Sequence, residues 1–162
     1  MWSFNRRFLL LAPLVLVACG FSPVYGPGGS AEGLQNSIRL ADPTDKRGFD
    51  LVERLEEQLG RPTAARFDLT YQIDTEVIGV GITTEGEITR YNLLGSVAYM
   101  VKDQTTGATL AQGKVNSFTA YSATGSTVAG LEAEDGAKTR LMRILADQIV
   151  ARLLASAGVW RP

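Results

Sequence analysis

The sequence contains no histidine and only one cysteine. Histidine is the general base that enzymes use most often near neutral pH and the commonest metal ligand, so its absence removes the usual catalytic triads and most metal sites. A single cysteine cannot form an intramolecular disulfide or a cysteine-rich metal centre. Nucleophile motifs and metal-ligand spacings are missing as well. We therefore predict a protein that is not an enzyme and that binds no metal or other cofactor.

The chain also has no excess of charge of either sign. Sixteen lysine and arginine residues stand against 17 aspartate and glutamate residues, so the formal net charge is -1. A chain with so little net charge does not attract nucleic acid through its overall field, and nucleic-acid binding is therefore disfavoured. Its 162 residues, 45% of them hydrophobic and 20% charged, predict one folded domain.

The most apolar segment lies at the N-terminus, in residues 8–17. It is too short to cross a bilayer as a helix, which takes about 20 residues. Arg6 and Arg7 precede it and the small residue Ala18 follows it. A basic start, a short apolar run and a small residue before the cut are the three parts of a secretory signal peptide. We predict that residues 1–18 are a signal peptide that is removed on export.

The string LVAC at residues 16–19 resembles the lipobox of bacterial lipoproteins. In those proteins the cysteine thiol receives a diacylglycerol, the signal is cut before the cysteine, and the new amine is acylated. We therefore predict Cys19 as the lipid-attachment residue, and several acyl chains would make the anchoring effectively permanent. Residue 20 is glycine and not aspartate, which by resemblance to the known sorting rule indicates the periplasmic side of the outer membrane.

Beyond the signal peptide the chain divides into a tether and a domain. Residues 19–35 are rich in glycine and proline, which predicts a flexible tether. Residues 36–158 form the predicted domain. Within it, alternation of apolar and polar residues predicts strands over residues 37–41, 67–80, 88–102 and 110–121, with a turn over residues 79–86. The alternation slips at Asn116 and Ser117, and a β-bulge would explain the slip.

Two amphipathic segments predict helices, because their apolar residues recur every three or four positions. The first spans residues 46–59 and ends before a glycine and a proline. Its predicted apolar stripe comprises Phe49, Val52, Leu55 and Leu59. The stripe of the last helix comprises Leu141, Ile144, Leu145, Ile149 and Leu153. The order β-α-β-β-β-α predicts an α+β fold, with two helices packed on one face of a mixed four-stranded β-sheet.

Three isolated basic residues lie in or beside the predicted strands: Arg90, Lys102 and Lys114. If they were near one another, they would make a site for phosphorylated amphiphiles. Basic residues on the wet face of a sheet also confer solubility and discourage edge pairing, so both interpretations stay open.

The string CGFSPVYG at residues 19–26, directly at the lipidation site, resembles the LPS-assembly lipoprotein family LptE in its short alphaproteobacterial form. The order of helices and strands agrees with that family. The resemblance implies a domain seated inside the β-barrel translocon LptD, where it assists barrel assembly and the delivery of lipopolysaccharide to the cell surface. Family members contact lipopolysaccharide through basic residues near one end of the sheet. By chemistry alone, Arg90, Lys114 and Lys102 are the lipopolysaccharide-binding candidates here.

Two other hypotheses stay open. The protein could be an auxiliary lipoprotein of another envelope lipid-transport complex, which binds a lipid or a partner without belonging to a barrel. It could also be a periplasmic hydrolase, although only scattered hydroxyl and carboxyl residues favour that function.

Overall fold

A computed structural model describes residues 26, 29, 31–82, 84, 86–122 and 126–160 of the chain. The predicted signal peptide and Cys19 lie outside these residues. In chain order the elements are β1 (Ile38–Leu40), α1 (Lys46–Leu59), β2 (Phe67–Ile82), β3 (Ile88–Asp103), β4 (Thr109–Ser122) and α2 (Thr127–Trp160). Among the described residues, no helix is both long enough and apolar enough to cross a membrane.

The four strands form one mixed sheet in the order β1-β2-β3-β4. The short β1 runs parallel to β2, whereas β2, β3 and β4 form an antiparallel meander. Both helices cover the same face of this sheet, which we call the inner face; the opposite face is the outer face. The predicted α+β fold, including the element order, is therefore confirmed.

The sheet has two ends that differ in their connections. At the base, the chain enters the domain beside the C-terminus of α1, where the Asn36 amide donates to the Leu59 carbonyl at 2.8 Å. The turn between β3 and β4 also lies at the base. At the tip, β2 and β4 end, and β3 and α2 begin. Ala31 and Leu34, the described part of the predicted tether that packs inward, are fully buried near the base.

The core lies between the inner face and the helices, as the alternation of the strands predicts. Phe67 and Leu69 of β2 and Val97 and Val101 of β3 are buried, and the helices bury a matching stripe. One close approach depends on Gly95, because a Cβ added there would lie 2.8 Å from Leu141 Cδ2. Since this glycine has no side chain, α2 packs directly on the backbone of β3. The buried residues of the two helices include Leu51, Leu55, Leu59, Leu141, Met142, Leu145, Ile149 and Leu153.

Polar contacts fix α1 against α2. Asp50 is 7% exposed, and its carboxylate accepts hydrogen bonds from Lys46 Nζ at 3.0 Å and from Thr139 Oγ1 at 2.9 Å. Farther along, Arg54 Nε donates to Asp147 Oδ1 at 2.8 Å. These contacts satisfy the buried carboxylate and set the rotation of one helix against the other.

The ends of α1 are set by local chemistry, and its predicted span over residues 46–59 is confirmed. Asp45 is the N-cap, and its side chain accepts a hydrogen bond from the Gly48 amide at 2.7 Å. Gly60 follows the helix with φ 77°, and its amide donates to the Glu56 carbonyl at 2.9 Å. The hydrogen bond from Gly48, together with that from Arg47, holds the pKa of Asp45 below its ordinary value of 3.8.

We expect Asp45→Ala to lower the free energy of unfolding by about 1 kcal/mol at neutral pH, because it removes an N-cap acceptor. A carboxylate with a lowered folded-state pKa stabilises the fold above its unfolded pKa, and this contribution is lost as pH falls through the folded pKa. The difference from the parent should therefore shrink below about pH 4 in urea unfolding at several pH values. Asp45→Asn is the matched control: it keeps the acceptor, so a loss as large as that of alanine would contradict the capping role.

Phe49 is 57% exposed, so its assignment to the buried stripe of α1 was wrong. The helix instead buries Gly48, Leu51, Leu55 and Leu59. The predicted stripe and the observed stripe share Leu55 and Leu59, and both recur every three or four residues. Gly48 lies next to the Tyr71 hydroxyl. Because a glycine does not count as an apolar residue in the sequence pattern, the pattern does not place it on the buried side of the helix.

The β-bulge that would have explained the slip at Asn116 and Ser117 is absent, because β4 pairs with β3 in continuous register through both residues. The alternation slips because Phe118 lies on the outer face and is 65% exposed, whereas the polar Thr119 is buried on the inner face. Thr119 Oγ1 donates to the Ala137 carbonyl of α2 at 3.1 Å. The predicted turn over residues 79–86 also began too early: β2 continues to Ile82, with register shifts on either side of Gly81.

Candidate functional site

Neither helix of the described residues covers the outer face of the sheet, whose side chains form rungs across β2, β3 and β4. Neighbouring rungs are two residues apart along each strand. From base to tip, the register places Asp68 with Lys102; Thr70 with Met100 and Gln112; Gln72 with Ala98 and Lys114; Asp74 with Ser96 and Asn116; Glu76 with Leu94 and Phe118; Ile78 with Asn92 and Ala120; and Arg90 with Ser122.

A groove of about 1000 Å³ crosses the outer face over the three rungs from Asp74 to Ile78. Its apolar lining comes from Ile78, Val80, Leu94 and Phe118. Three of these are large apolar side chains with high exposure: 40% for Ile78, 48% for Val80 and 65% for Phe118. A groove with an apolar lining and a few polar groups along it is a candidate site for a ligand or partner.

The β2 side of the groove is acidic. Asp74 and Glu76 line it there, and both side chains are exposed. Asn92, Ser96 and Asn116 add neutral polar groups along the rungs. None of the described basic residues lines the groove, so the described positive charges nearest to it lie beyond its ends.

Two of the three predicted basic residues flank this groove and the third does not. Arg90 lies one rung beyond the tip end, and Lys114 lies one rung beyond the base end. Ser122, the partner of Arg90, is eight residues from Lys114 along β4, which corresponds to about 26 Å. Lys102 pairs with Asp68 at the base, away from the groove. All three side chains are exposed, and none forms an ion pair with a residue that the structure describes.

A sequence model of a family described as LptE, lipopolysaccharide-assembly, matches residues 35–153. The chain belongs to this LptE family. Membership gives it a role in lipopolysaccharide assembly. The match covers every strand, α1 and most of α2, so both the groove and its two flanking cations lie inside the family domain.

Solved structures share the LptE fold of this chain. A putative lipoprotein from Caulobacter crescentus CB15 superimposes with a TM-score of 0.68 at 21% identity, covering 83% of this chain and 99% of that one. Rare lipoprotein B from Shewanella oneidensis gives 0.56 at 16% identity over 74% and 92% of the two chains. A minor lipoprotein from Acinetobacter baumannii gives 0.54 at 18% identity over 74% and 89%. At these identities the likeness shows the fold. No curated protein sequence matches the chain.

The apolar lining of the groove was not among the sequence-predicted site residues of this LptE chain. Ile78 and Val80 flank Gly79, which favoured the end of a strand, and Phe118 disturbed an otherwise regular alternation. One signal was available: Leu94, Ala98 and Met100 give β3 apolar residues on its second face. A strand that is apolar on both faces predicts a second covered surface.

Nothing in the described part of the chain resembles a metal centre, since no three His, Cys, Asp or Glu residues there come close enough to hold an ion. The clearest chemical features of the site are therefore an apolar groove, an acidic side and a cation beyond each end. Such a surface is chemically suited to contact a ligand that has both apolar and charged groups.

Proposed function

We propose that this LptE-family protein is an outer-membrane lipoprotein subunit of the lipopolysaccharide translocon. It is anchored through lipid on Cys19 and faces the periplasm. It sits in the LptD β-barrel, assists the assembly of that barrel, and helps deliver lipopolysaccharide to the cell surface. The observation that carries this proposal is the family match over residues 35–153, which spans the whole sheet. The role is one of binding and positioning and not of catalysis.

The outer face supports a direct contact with lipopolysaccharide. An acyl chain suits the apolar side chains of Ile78, Leu94 and Phe118, because burying apolar surface is worth about 25 cal/mol per Å². Arg90 and Lys114 are suited to phosphate groups, which arginine binds in a bidentate manner. The acidic residues on the β2 side repel phosphate, so the phosphates are directed toward the two ends. At about 26 Å apart, the two cations contact different phosphate groups.

We expect the double variant Arg90→Glu with Lys114→Glu to bind lipopolysaccharide roughly ten-fold more weakly, because two exposed charge pairs become repulsive. Affinity is measured by displacement of a fluorescent lipopolysaccharide from the detergent-solubilised protein. The effect should weaken at high salt, since exposed charges are screened. Lys102→Glu is the control for each single reversal, Arg90→Glu and Lys114→Glu, because Lys102 is also an exposed outer-face cation but lies away from the groove. An equal loss in the control would contradict the assignment of the site.

The translocon role is tested by purifying the tagged lipoprotein from detergent-solubilised outer membrane. Recovery of LptD in near-equal amount after stringent washing is the expected result. Depletion of the lipoprotein should also impair LptD maturation and surface lipopolysaccharide. Recovery of an ABC-type or mammalian-cell-entry transporter instead of LptD would favour an auxiliary role in another lipid-transport complex.

A further inference from the structure

One edge of the sheet is open along most of its length. Among the described residues, β1 pairs with Phe67, Asp68 and Leu69 of β2, and the last backbone hydrogen bond on that side runs from the Ala41 amide to the Leu69 carbonyl at 2.9 Å. β2 then continues to Ile82. Among the described residues, no strand pairs with this side of β2 beyond Leu69.

The backbone groups at the open edge can be identified from the β1 contacts. The Phe67 amide donates to the Ser37 carbonyl, and the Leu69 carbonyl accepts from Ala41, so these residues point their backbone groups toward β1. In a strand, alternate residues point the same way. The amides and carbonyls of Ile73, Thr75 and Val77 therefore face the open edge, whereas those of the residues between them bond to β3.

On the opposite edge of the sheet, a side chain of α2 covers one backbone carbonyl. Arg152 of α2 donates through Nη1 to the Lys114 carbonyl on the outer edge of β4, at 2.9 Å. Proteins commonly protect long edges in this manner, by covering them or by placing charges and bulges along them. In β2 the register shifts begin only after Gly79, so the regular open edge runs from Tyr71 to Val77.

The charges beside the open edge restrict what can pair with it. Asp74 and Glu76 project from the outer face of β2, and neither forms an ion pair with a described residue. A second copy that paired through the same edge would place acids beside acids, which is unfavourable across strands. A cationic strand would place opposite charges there instead. On the inner side, Arg47 of α1 donates through Nη1 to Thr75 Oγ1 at 2.8 Å and is itself paired with Asp45. Beyond it, Val77 is 46% exposed and offers an apolar contact.

We propose that the edge of β2 from Tyr71 to Val77 is a strand-addition site for an extended protein segment that alternates basic and apolar residues. The added strand takes up the free backbone groups of Ile73, Thr75 and Val77. Its basic side chains lie beside Asp74 and Glu76, and its apolar side chains lie beside Val77. This inference does not depend on the translocon role, because it concerns the edge and not the groove.

The test is hydrogen exchange at single-residue resolution on the full lipoprotein in neutral detergent. The probe is an eight-residue synthetic peptide that alternates lysine and valine, and its control carries glutamate in place of lysine. The lysine peptide should slow exchange at the amides of Ile73, Thr75 and Val77 by about ten-fold or more. The amides of Gln72, Asp74 and Glu76 already bond to β3 and should change little. Unchanged exchange at the edge, or equal slowing by the glutamate peptide, would overturn the proposal.

Variants of β2 distinguish strand addition from nonspecific binding of the peptide to the protein surface. Val77→Pro removes one edge amide and leaves the β3 side of the ladder intact, whereas Val77→Ala changes the side chain and keeps the amide. Peptide affinity should fall clearly more for proline than for alanine, because alanine loses only part of the apolar contact and keeps the backbone hydrogen bond. If the proline variant does not fold, Glu76→Lys tests instead whether the peptide binds beside Glu76. Glu132→Lys, at an exposed residue of α2, is its charge-matched control. We expect roughly ten-fold weaker binding for Glu76→Lys alone, and equal affinity in both lysine variants would reject the site.

Discussion

Replacing Leu141 with alanine should lower the free energy of unfolding by about 3 kcal/mol, within the range for buried leucines. Leu141 is fully buried, and it packs on the backbone of β3 at Gly95. No side chain at Gly95 can move in to fill the space, so the variant leaves a cavity between the sheet and α2. Alanine is a good helix former, so the helix itself is not weakened. Urea unfolding followed by circular dichroism measures the loss. Leu131→Ala, on the same helix but 59% exposed in the parent, should change stability by less than about 0.5 kcal/mol.

A double-mutant cycle identifies the contact responsible. Gly95→Ala alone is expected to cost about 1 kcal/mol or more, because its Cβ would lie 2.8 Å from Leu141 Cδ2. In the Leu141→Ala background the same methyl group enters the cavity. The two losses should therefore combine to less than their sum, by about 0.5 kcal/mol or more. Strict additivity would show that Gly95 and Leu141 do not share this space.

The sequence predicts those parts of the fold that depend on neighbouring residues. The C-terminal end of α1 was predicted from Gly60, and the structure shows Asp45 as the cap at the other end; both act within a few residues. The alternation from Phe67 to Ile73 placed β2 for a similar reason. The element order then restricted the architecture to helices on one face of a sheet.

Features that depend on pairing across the sheet could not be read in this way. β2 continues past Gly79 because β3 pairs with it, although its glycines favour a turn. The groove combines Ile78, Leu94 and Phe118 from three strands, and only the register makes them neighbours. The alternation within one strand predicts which face of the sheet a residue lies on. It does not predict which residues of the neighbouring strands lie beside it.

Because the sequence does not give the strand register, it could not predict which of the three basic residues flank the groove. The strand pattern places Arg90, Lys102 and Lys114 in or beside strands, and the register then puts all three on the outer face. Their positions along that face depend on how β2, β3 and β4 align. The alignment leaves Arg90 and Lys114 at the ends of the groove and moves Lys102 to the base. Lys102 thereby becomes a control for the other two.

Replacing Cys19 with serine should abolish acylation completely, because the lipobox cysteine supplies the thiol that receives the lipid. Cells grown with labelled palmitate should incorporate label into the parent protein and none into Cys19→Ser. Signal cleavage in lipoproteins follows lipid transfer, so the variant should also keep residues 1–18, which intact mass spectrometry detects. Without several acyl chains, the domain loses an anchor whose affinity grows by about 0.8 kcal/mol per buried methylene.

A second thiol tests whether position matters as well as chemistry. Cys19→Ser with Ser22→Cys restores one cysteine three residues downstream, outside the LVAC string. The lipobox interpretation expects no label in this variant. Label on the serine variant, or recovery of label with the displaced cysteine, would contradict it. The residues that line the groove all lie between Asp74 and Phe118, so we expect the purified serine variant to bind lipopolysaccharide with unchanged affinity. Loss of anchoring with retained binding would separate the function of the lipid from that of the sheet.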